Sequence, residues 1–303
     1  MVRRGSWKIM SKKYTPYLLL LPQILLLIIF AIGLINGITQ SLGVIPTFGL
    51  REPTLNYYKE VLTSKEMLKS ILFSLYIAST SALFAVVIGT LICMIIVMNQ
   101  KTVKIYEKLV QIPIVVPHVV VAIFILNIFS KSGLLSRSLS VLGLISSQEQ
   151  FINLVYDKYG IGIILAYLWK EIPFIIYFVL SIMANINDTL GEAAINLGAT
   201  KWETFKRITL PLCKNTTLSG FLIIFVFALG AYEIPQLLGP TLPKALPVLS
   251  YIQYIHPNLQ NRPYAMALNG IIIIISLIAA ILYYKLIKNN ISWLKENINE
   301  NNK

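Results

Sequence analysis

His118, Lys170, Glu171 and Glu233 lie inside long apolar stretches of the chain. Charged side chains are expensive in hydrocarbon, so each marks a solute path, a partner, or both. In the run Trp169-Lys170-Glu171-Ile172-Pro173, neighbouring residues cannot face each other on a helix. Lys170 and Glu171 therefore need separate partners or a place near the outer interface, and lining of a pathway and structural pairing fit equally. The run Leu229-Gly230-Ala231-Tyr232-Glu233-Ile234-Pro235-Gln236-Leu237-Leu238-Gly239 combines glycine, proline and a buried carboxylate, the pattern of a helix broken near an outer mouth. Tyr232, Glu233, Pro235, Lys170 and Glu171 are the candidate pathway or gate residues. A polar group that only pins adjacent helices is the alternative for Glu233.

Bond-making chemistry has little support. The chain has two histidines, His118 and His256, and two cysteines, Cys93 and Cys213. None has the spacing of a metal site or a disulfide framework, so the cysteines read as buried small hydrophobes and His118 as a satisfied interior polar residue. A membrane-embedded enzyme would need a converging constellation such as a Ser/His pair or clustered ligands, which the spacing does not offer. There is no G-x-x-x-x-G-K-[ST] phosphate loop; Gly160-Ile161-Gly162 is a faint echo in an apolar setting. No catalytic residue, metal or cofactor is expected.

The elements that must hold these residues are membrane helices. In 303 residues, 56% are hydrophobic and 13% charged, and the mean hydropathy is +0.71, more apolar surface than a water-soluble fold of this size can hide. Crossing a hydrocarbon core of about 30 Å takes about 20 apolar residues. Six stretches qualify: Tyr17–Ile38, Met67–Met98, Leu109–Phe129, Ile161–Ala184, Thr217–Leu238 and Tyr264–Ile287. The first follows a basic tail but exceeds a signal peptide's apolar region, contains Pro22 and precedes no small-residue cleavage site, so it is expected to be a retained anchor. An even number of spans puts both ends on one side. With that side cytoplasmic, its tails and loops, together with Lys285 at the inner end of the sixth span, carry 16 of the 26 lysines and arginines, as the positive-inside rule demands. The net charge of +13 is then mostly a topology signal, and no basic patch on a soluble fold suggests nucleic acid. The expected divisions are a cytoplasmic tail (1–16), a transmembrane domain (17–287) with a cytoplasmic loop at 185–216, and a second cytoplasmic tail (288–303). Gln111-Ile112-Pro113-Ile114-Val115-Val116-Pro117-His118 opens the third span with two prolines, whose freed carbonyls call for packing against protein or water. The proline-rich stretch from Pro240 to Pro263 is expected to form an outer cap or re-entrant piece.

The loop 185–216 carries the densest local signals. Thr189-Leu190-Gly191-Glu192 and Thr200-Lys201-Trp202-Glu203 both fit a capping box. Gly198 suits the left-handed position that ends a helix, and Pro211 is expected to terminate the second helix. Two short helices bent at a glycine, ringed by Lys201, Lys206, Arg207 and Lys214, result. An interfacial amphipathic hairpin against lipid head groups fits the same local physics.

Glu192-Ala193-Ala194, three residues, Gly198, nine residues, then Ile208-x-Leu210-Pro211 resembles the signature loop of binding-protein-dependent ABC importer permeases, and stands between the fourth and fifth spans as it does in that family. Leu197-Gly198-Ala199, the Gly230–Pro235 segment with Leu237-Leu238-Gly239, and Arg262-Pro263-Tyr264-Ala265-Met266-Ala267 look like the polyamine, ferric-iron and sulfate branch. The resemblance implies an all-α, polytopic fold of six transmembrane helices, the MetI-like permease fold. It implies that Glu192, Ala193, Ala194, Leu197, Gly198 and Ala199, with Ile208, Leu210 and Pro211 returning the chain, couple to a separate cytoplasmic ATPase dimer. A second, related permease subunit, an extracytoplasmic substrate-binding protein and membrane lipid are the implied partners, in a cell membrane crossed several times with both termini cytoplasmic. ATP would be hydrolysed on the ATPase and not on this chain. A polyamine is the first expected substrate, with ferric iron, phosphonate, thiamine and oxyanions behind it. The rival from the residues alone is a transporter driven by an ion gradient.

Overall fold

The computed structural model describes residues 15–99 and 103–301. Among these residues the chain is helical, with no strand beyond an isolated bridge between Ile45 and Leu50. The expected N-terminal tail lies almost wholly outside the described residues. Helix α1 (Thr15–Ser41) is followed by the short α2 (Asn56–Thr63) and by α3 (Lys65–Met98). At 1.5 Å per residue, α3 is about 51 Å long and must tilt or project beyond the bilayer. Next come α4 (Val103–Val115), α5 (His118–Phe129), α6 (Leu134–Val141) and α7 (Ile161–Ile186). The series ends with α8 (Glu192–Asn196), α9 (Lys201–Thr204), α10 (Leu210–Gly230), α11 (Glu233–Leu238), α12 (Leu246–Tyr254) and α13 (Arg262–Asn301). Among the described residues, six helical stretches are long and apolar enough to cross a membrane.

The core sits where α3, α7 and α10 pack together. Ile175 of α7 is fully buried and is wedged between two glycines. A Cβ on Gly89 of α3 would lie 2.7 Å from Ile175 Cγ2, and one on Gly220 of α10 would lie 2.6 Å from Ile175 Cδ1. Small residues let membrane helices approach closely, and dispersion between the backbones then does the work that the hydrophobic effect cannot do in lipid. Helix α1 has an exposed apolar surface all along its length and packs on α13. The two inner-facing cysteines, Cys93 and Cys213, are free and fully buried. At the start of α7, the Asp157 carboxylate accepts hydrogen bonds from the Tyr159 and Ile161 amides (2.8 and 2.7 Å), satisfying donors that a helix N-terminus leaves open. The stretch after Pro240 folds back on the bundle: α12 packs on α13, with Leu246, Val248 and Leu249 buried. At the other end, α13 runs without interruption through Asn301, so the last span and the expected C-terminal tail share one helix.

The third expected span, Leu109–Phe129, is two helices. Pro117 lacks an amide proton and takes an extended conformation (φ −59°, ψ 145°), dividing α4 from α5. The fifth, Thr217–Leu238, also divides: α10 stops at Gly230, Ala231 is extended, and α11 restarts at Glu233, as expected of the broken helix.

Candidate functional site

Two regions draw the sequence-derived residues together, the elbow at residues 187–211 and a chamber beside the α4–α5 break.

The elbow has the expected bend with different joints. Gly198 adopts φ +95°. Its amide donates to the Ile195 carbonyl (2.9 Å), and the Ala199 amide reaches back to the Ala194 carbonyl (3.0 Å), together the paired bonds of a Schellman closure. Ala194 and Gly198 are thus the two ends of one turn. Thr200 and Glu203 form a complete capping box at the start of α9. The other box does not form. Thr189 sits within continuous helix, where its hydroxyl donates back to Asn185 O (2.9 Å), and Glu192 caps nothing. A helix arriving from α7 already satisfies the amides that a cap would serve, so the threonine turns to its own preceding turn. A π turn over Asn187–Gly191 instead joins α7 to α8, giving one helical rod over Ile161–Asn196. Nor does Pro211 terminate the second arm. A second π turn, Phe205–Thr209, carries α9 into α10 with Pro211 in its first turn, where the missing amide costs least. Wider π turns are a common device beside functional sites.

The elbow presents an uncovered tip. Leu197 is 90% exposed and Trp202 54%; Glu192, Ala193, Gly198 and Pro211 are exposed, while Ala194, Ala199 and Ile208 are half-buried. Lys201 Nζ donates to Met98 O (2.9 Å) and so ties the elbow to the last turn of α3, where a cation suits the open carbonyls. Leu210 and Pro211 also line an apolar groove of about 740 Å³ against Leu83 and Val86.

The chamber explains the prolines of the third span. Lys170 is 9% exposed, and its ammonium donates to the Ile114 carbonyl (3.2 Å) and, at shorter range, to that of Val116. These carbonyls lie at the end of α4, where the break at Pro117 leaves them without helical partners. Glu171, next in sequence, is 5% exposed; its carboxylate oxygens are enclosed and make no well-formed hydrogen bond, with the Ser81 hydroxyl of α3 as the polar group beside them. Both residues, with Ile114, His118, Phe174, Ile223, Ile224 and Phe227, line a chamber of about 220 Å³. The His118 ring stands 5.0 Å from that of Phe227.

Tyr232 and Pro235 lie elsewhere. Tyr232 packs against Tyr251 (5.0 Å between centroids) in a separate cleft of about 390 Å³, with Tyr254, Ser250 and Asn269. Pro235 is buried and faces a third, smaller cavity beside Tyr156 and Lys244. Glu233, expected to be buried, is exposed at the start of α11, where the helix restarts after the break, yet it stands near enough to His118 and Lys170 to act on both electrostatically. Among the described residues no group of histidine, cysteine and acidic side chains could hold a metal ion. Sequence reasoning missed Phe174 and Phe227 as chamber walls and Tyr251 and Tyr254 as cleft residues, since aromatics on apolar helices give no periodic signal of their own.

A model of the family described as "Binding-protein-dependent transport system inner membrane component" matches residues 83–292. The chain is 22% identical to the sulfate transport system permease protein CysT of Synechocystis sp. over 277 residues, 91% of this chain and 88% of that protein. It is 27% identical over 276 residues to the trehalose/maltose transport system permease protein MalF of Thermococcus litoralis, 89% of this chain and 92% of that protein. Among solved structures it resembles a chain of a bacterial alginate ABC transporter in complex with an alginate pentasaccharide-bound periplasmic protein. The TM-score is 0.69 at 23% identity, covering 92% of this chain and 95% of that chain.

Proposed function

From the premise that the chain belongs to the inner-membrane component family of binding-protein-dependent transport systems, we propose that it lines half of a solute pathway and takes its drive from an ATPase seated on the elbow. The observation that carries this reading is the rod over Ile161–Asn196 ending in the bare tip at Leu197 and Gly198. A partner that pushes on α8 would move α7 as a lever, and α7 carries Lys170 and Glu171 into the chamber. Rocking of such rods between two packings switches access from one side of the membrane to the other.

In this reading the elbow and both termini are cytoplasmic. A second permease subunit faces this chain, and a solute-loaded binding protein docks on the opposite side. ATP is hydrolysed on the partner. The ion-gradient alternative gives way to the family assignment. As to substrate, relatives named for sulfate and for trehalose or maltose stand at 22–27% identity, too distant to transfer either, and the two relatives compared above lend no support to a polyamine. Sulfate-type oxyanions and small sugars therefore stand ahead of it on resemblance.

The test is gentle purification of the chain from its native membrane, with mass spectrometry of the accompanying proteins. A P-loop ATPase should co-purify, and Glu192→Lys or Gly198→Val should release it without reducing membrane insertion. Glu192 makes no cap bond, and a Cβ at Gly198 meets no atom within 4 Å, so the second change strains only the turn. Capture of the chain without any ATPase, even after cross-linking at the elbow, would refute the reading.

A further inference from the structure

Arg262 opens α13 in the run Arg262-Pro263-Tyr264, at the end of the bundle opposite the elbow, and neither the elbow nor the chamber uses it. Its guanidinium carbon stands over two rings, 4.8 Å from the centroid of Tyr254 at the end of α12 and 5.5 Å from that of Phe48 in the turn after α1. Three elements therefore fix where the charge sits. Ring faces attract a guanidinium, but they give its five N–H donors no lone pair to bond. Nothing else does so. Among the described residues Arg262 makes no hydrogen bond or ion pair, and its Nε is enclosed without an acceptor. The two terminal nitrogens are not enclosed with it; the side chain is half-buried, and they reach the surface. Glu60, which Tyr264 brings to this end of α13, accepts a hydrogen bond from the tyrosine hydroxyl and does not pair with the arginine. The first turn of α13 carries no acid, and a helix start is where a cation is least favoured and an anion most.

A positioned guanidinium without a counter-ion is matched by a group that presents two oxygens to its fork. With Nε closed off, that pairing runs through the terminal nitrogens. A tetrahedral oxyanion fits this edge, and its charge suits the helix start beside it.

We propose that Arg262, held by Phe48 and Tyr254 at the start of α13, is a binding site for a sulfate- or phosphate-type oxyanion, either dissolved or carried as the phosphate of a lipid head group. The site is argued from this chain alone and needs no ATPase, so its failure would leave the function proposed above untouched.

The full-length chain, with any subunits that accompany it, would be washed in a non-ionic maltoside detergent until no lipid phosphate remains. Its thermal unfolding would be followed while sodium sulfate replaces sodium chloride at constant ionic strength, and separately while short-chain phosphatidylglycerol is added. Binding to the folded state should raise the midpoint along a saturable curve. Sulfate also steadies proteins by exclusion from their surface, but that slope does not saturate and should be the same in Arg262→Gln. A saturable rise with sulfate, lost in Arg262→Gln, would support the site with a dissolved ion as its ligand. A rise with phosphatidylglycerol only, lost in the same variant, would support it with a lipid phosphate. No saturable rise with either, or one that survives in Arg262→Gln, would overturn the proposal. If that variant fails to fold, Arg262→Lys decides, since it keeps a charge over the rings and loses the fork: its curve should move to higher concentration, and a curve unmoved from the wild type overturns the proposal as well.

Discussion

At the scale of single residues, the division of labour between Lys170 and Glu171 is the most informative pairing in the protein. They are adjacent in sequence, yet one is held by backbone carbonyls of α4 and the other is enclosed with only Ser81 as a polar neighbour. Removing Lys170 should therefore expose its role as a cap. Hydrogen bonds to charged groups contribute about 1.5–3 kcal/mol in soluble proteins, but between membrane helices the usual figure is roughly 0.5–2 kcal/mol, and loss of a buried charge offsets part of the loss. Lys170→Met is expected to destabilise the fold by about 1–2 kcal/mol, seen as a lower thermal midpoint in detergent, with Lys170→Arg retaining most of the wild-type value. A midpoint unchanged in the methionine variant would mean that the carbonyls find water as readily. The sequence made the need visible, since Pro113 and Pro117 announce freed carbonyls. It could not say that the partner lies more than fifty residues away.

Among elements, close approach of α3, α7 and α10 sets how tightly α7 is held. Both glycines facing Ile175 forbid a side chain, but not equally. At Gly89 an added Cβ would press on Ile175 Cγ2 and Cβ and on the Ile172 carbonyl; at Gly220 it would press on the Ile175 Cδ1 tip. A side-chain tip can rotate away, and a branched Cβ cannot. Overpacking of this kind costs about 1–3 kcal/mol. Gly89→Ala should lie at the upper end, Gly220→Ala at the lower, and Ile175→Ala should rescue the Gly89 variant in the double mutant more than it rescues wild type. Equal losses at both glycines, measured by thermal unfolding, would argue against the wedge. The elbow joints teach a complementary lesson. Two capping boxes were legible, and the one at Thr200 formed because the chain there leaves a turn; the one at Thr189 did not, because α7 had already delivered a helix to it. Local pattern is sufficient only where the chain enters an element from outside.

For the whole molecule, orientation is the property that assembly depends on. The lysine and arginine distribution favours a cytoplasmic elbow, and the structure supplies a clean reporter. Cys93 and Cys213 are fully buried and Leu197 is 90% exposed, so Leu197→Cys adds one reactive thiol to a silent background. A membrane-impermeant maleimide should label this variant in inside-out vesicles stripped of peripheral proteins and leave right-side-out vesicles unlabelled. Adding back a purified ATPase partner should protect it. Labelling from the outer face would reverse the topology.

Class, span number and the glycine bend of the elbow are settled locally: hydropathy and charge bias act residue by residue on transfer between water and lipid, and a glycine that must take φ > 0 marks its turn wherever it stands. Those properties need no knowledge of distant residues, so the amino-acid sequence alone determined them. The continuity of α7 with α8, the capture of the α4 carbonyls by Lys170, the exposure of Glu233 and the enclosure of Glu171 depend on which helices meet and at what depth. Only the tertiary structure decided them, because burial and hydrogen-bond partnership belong to pairs of elements and not to any one of them.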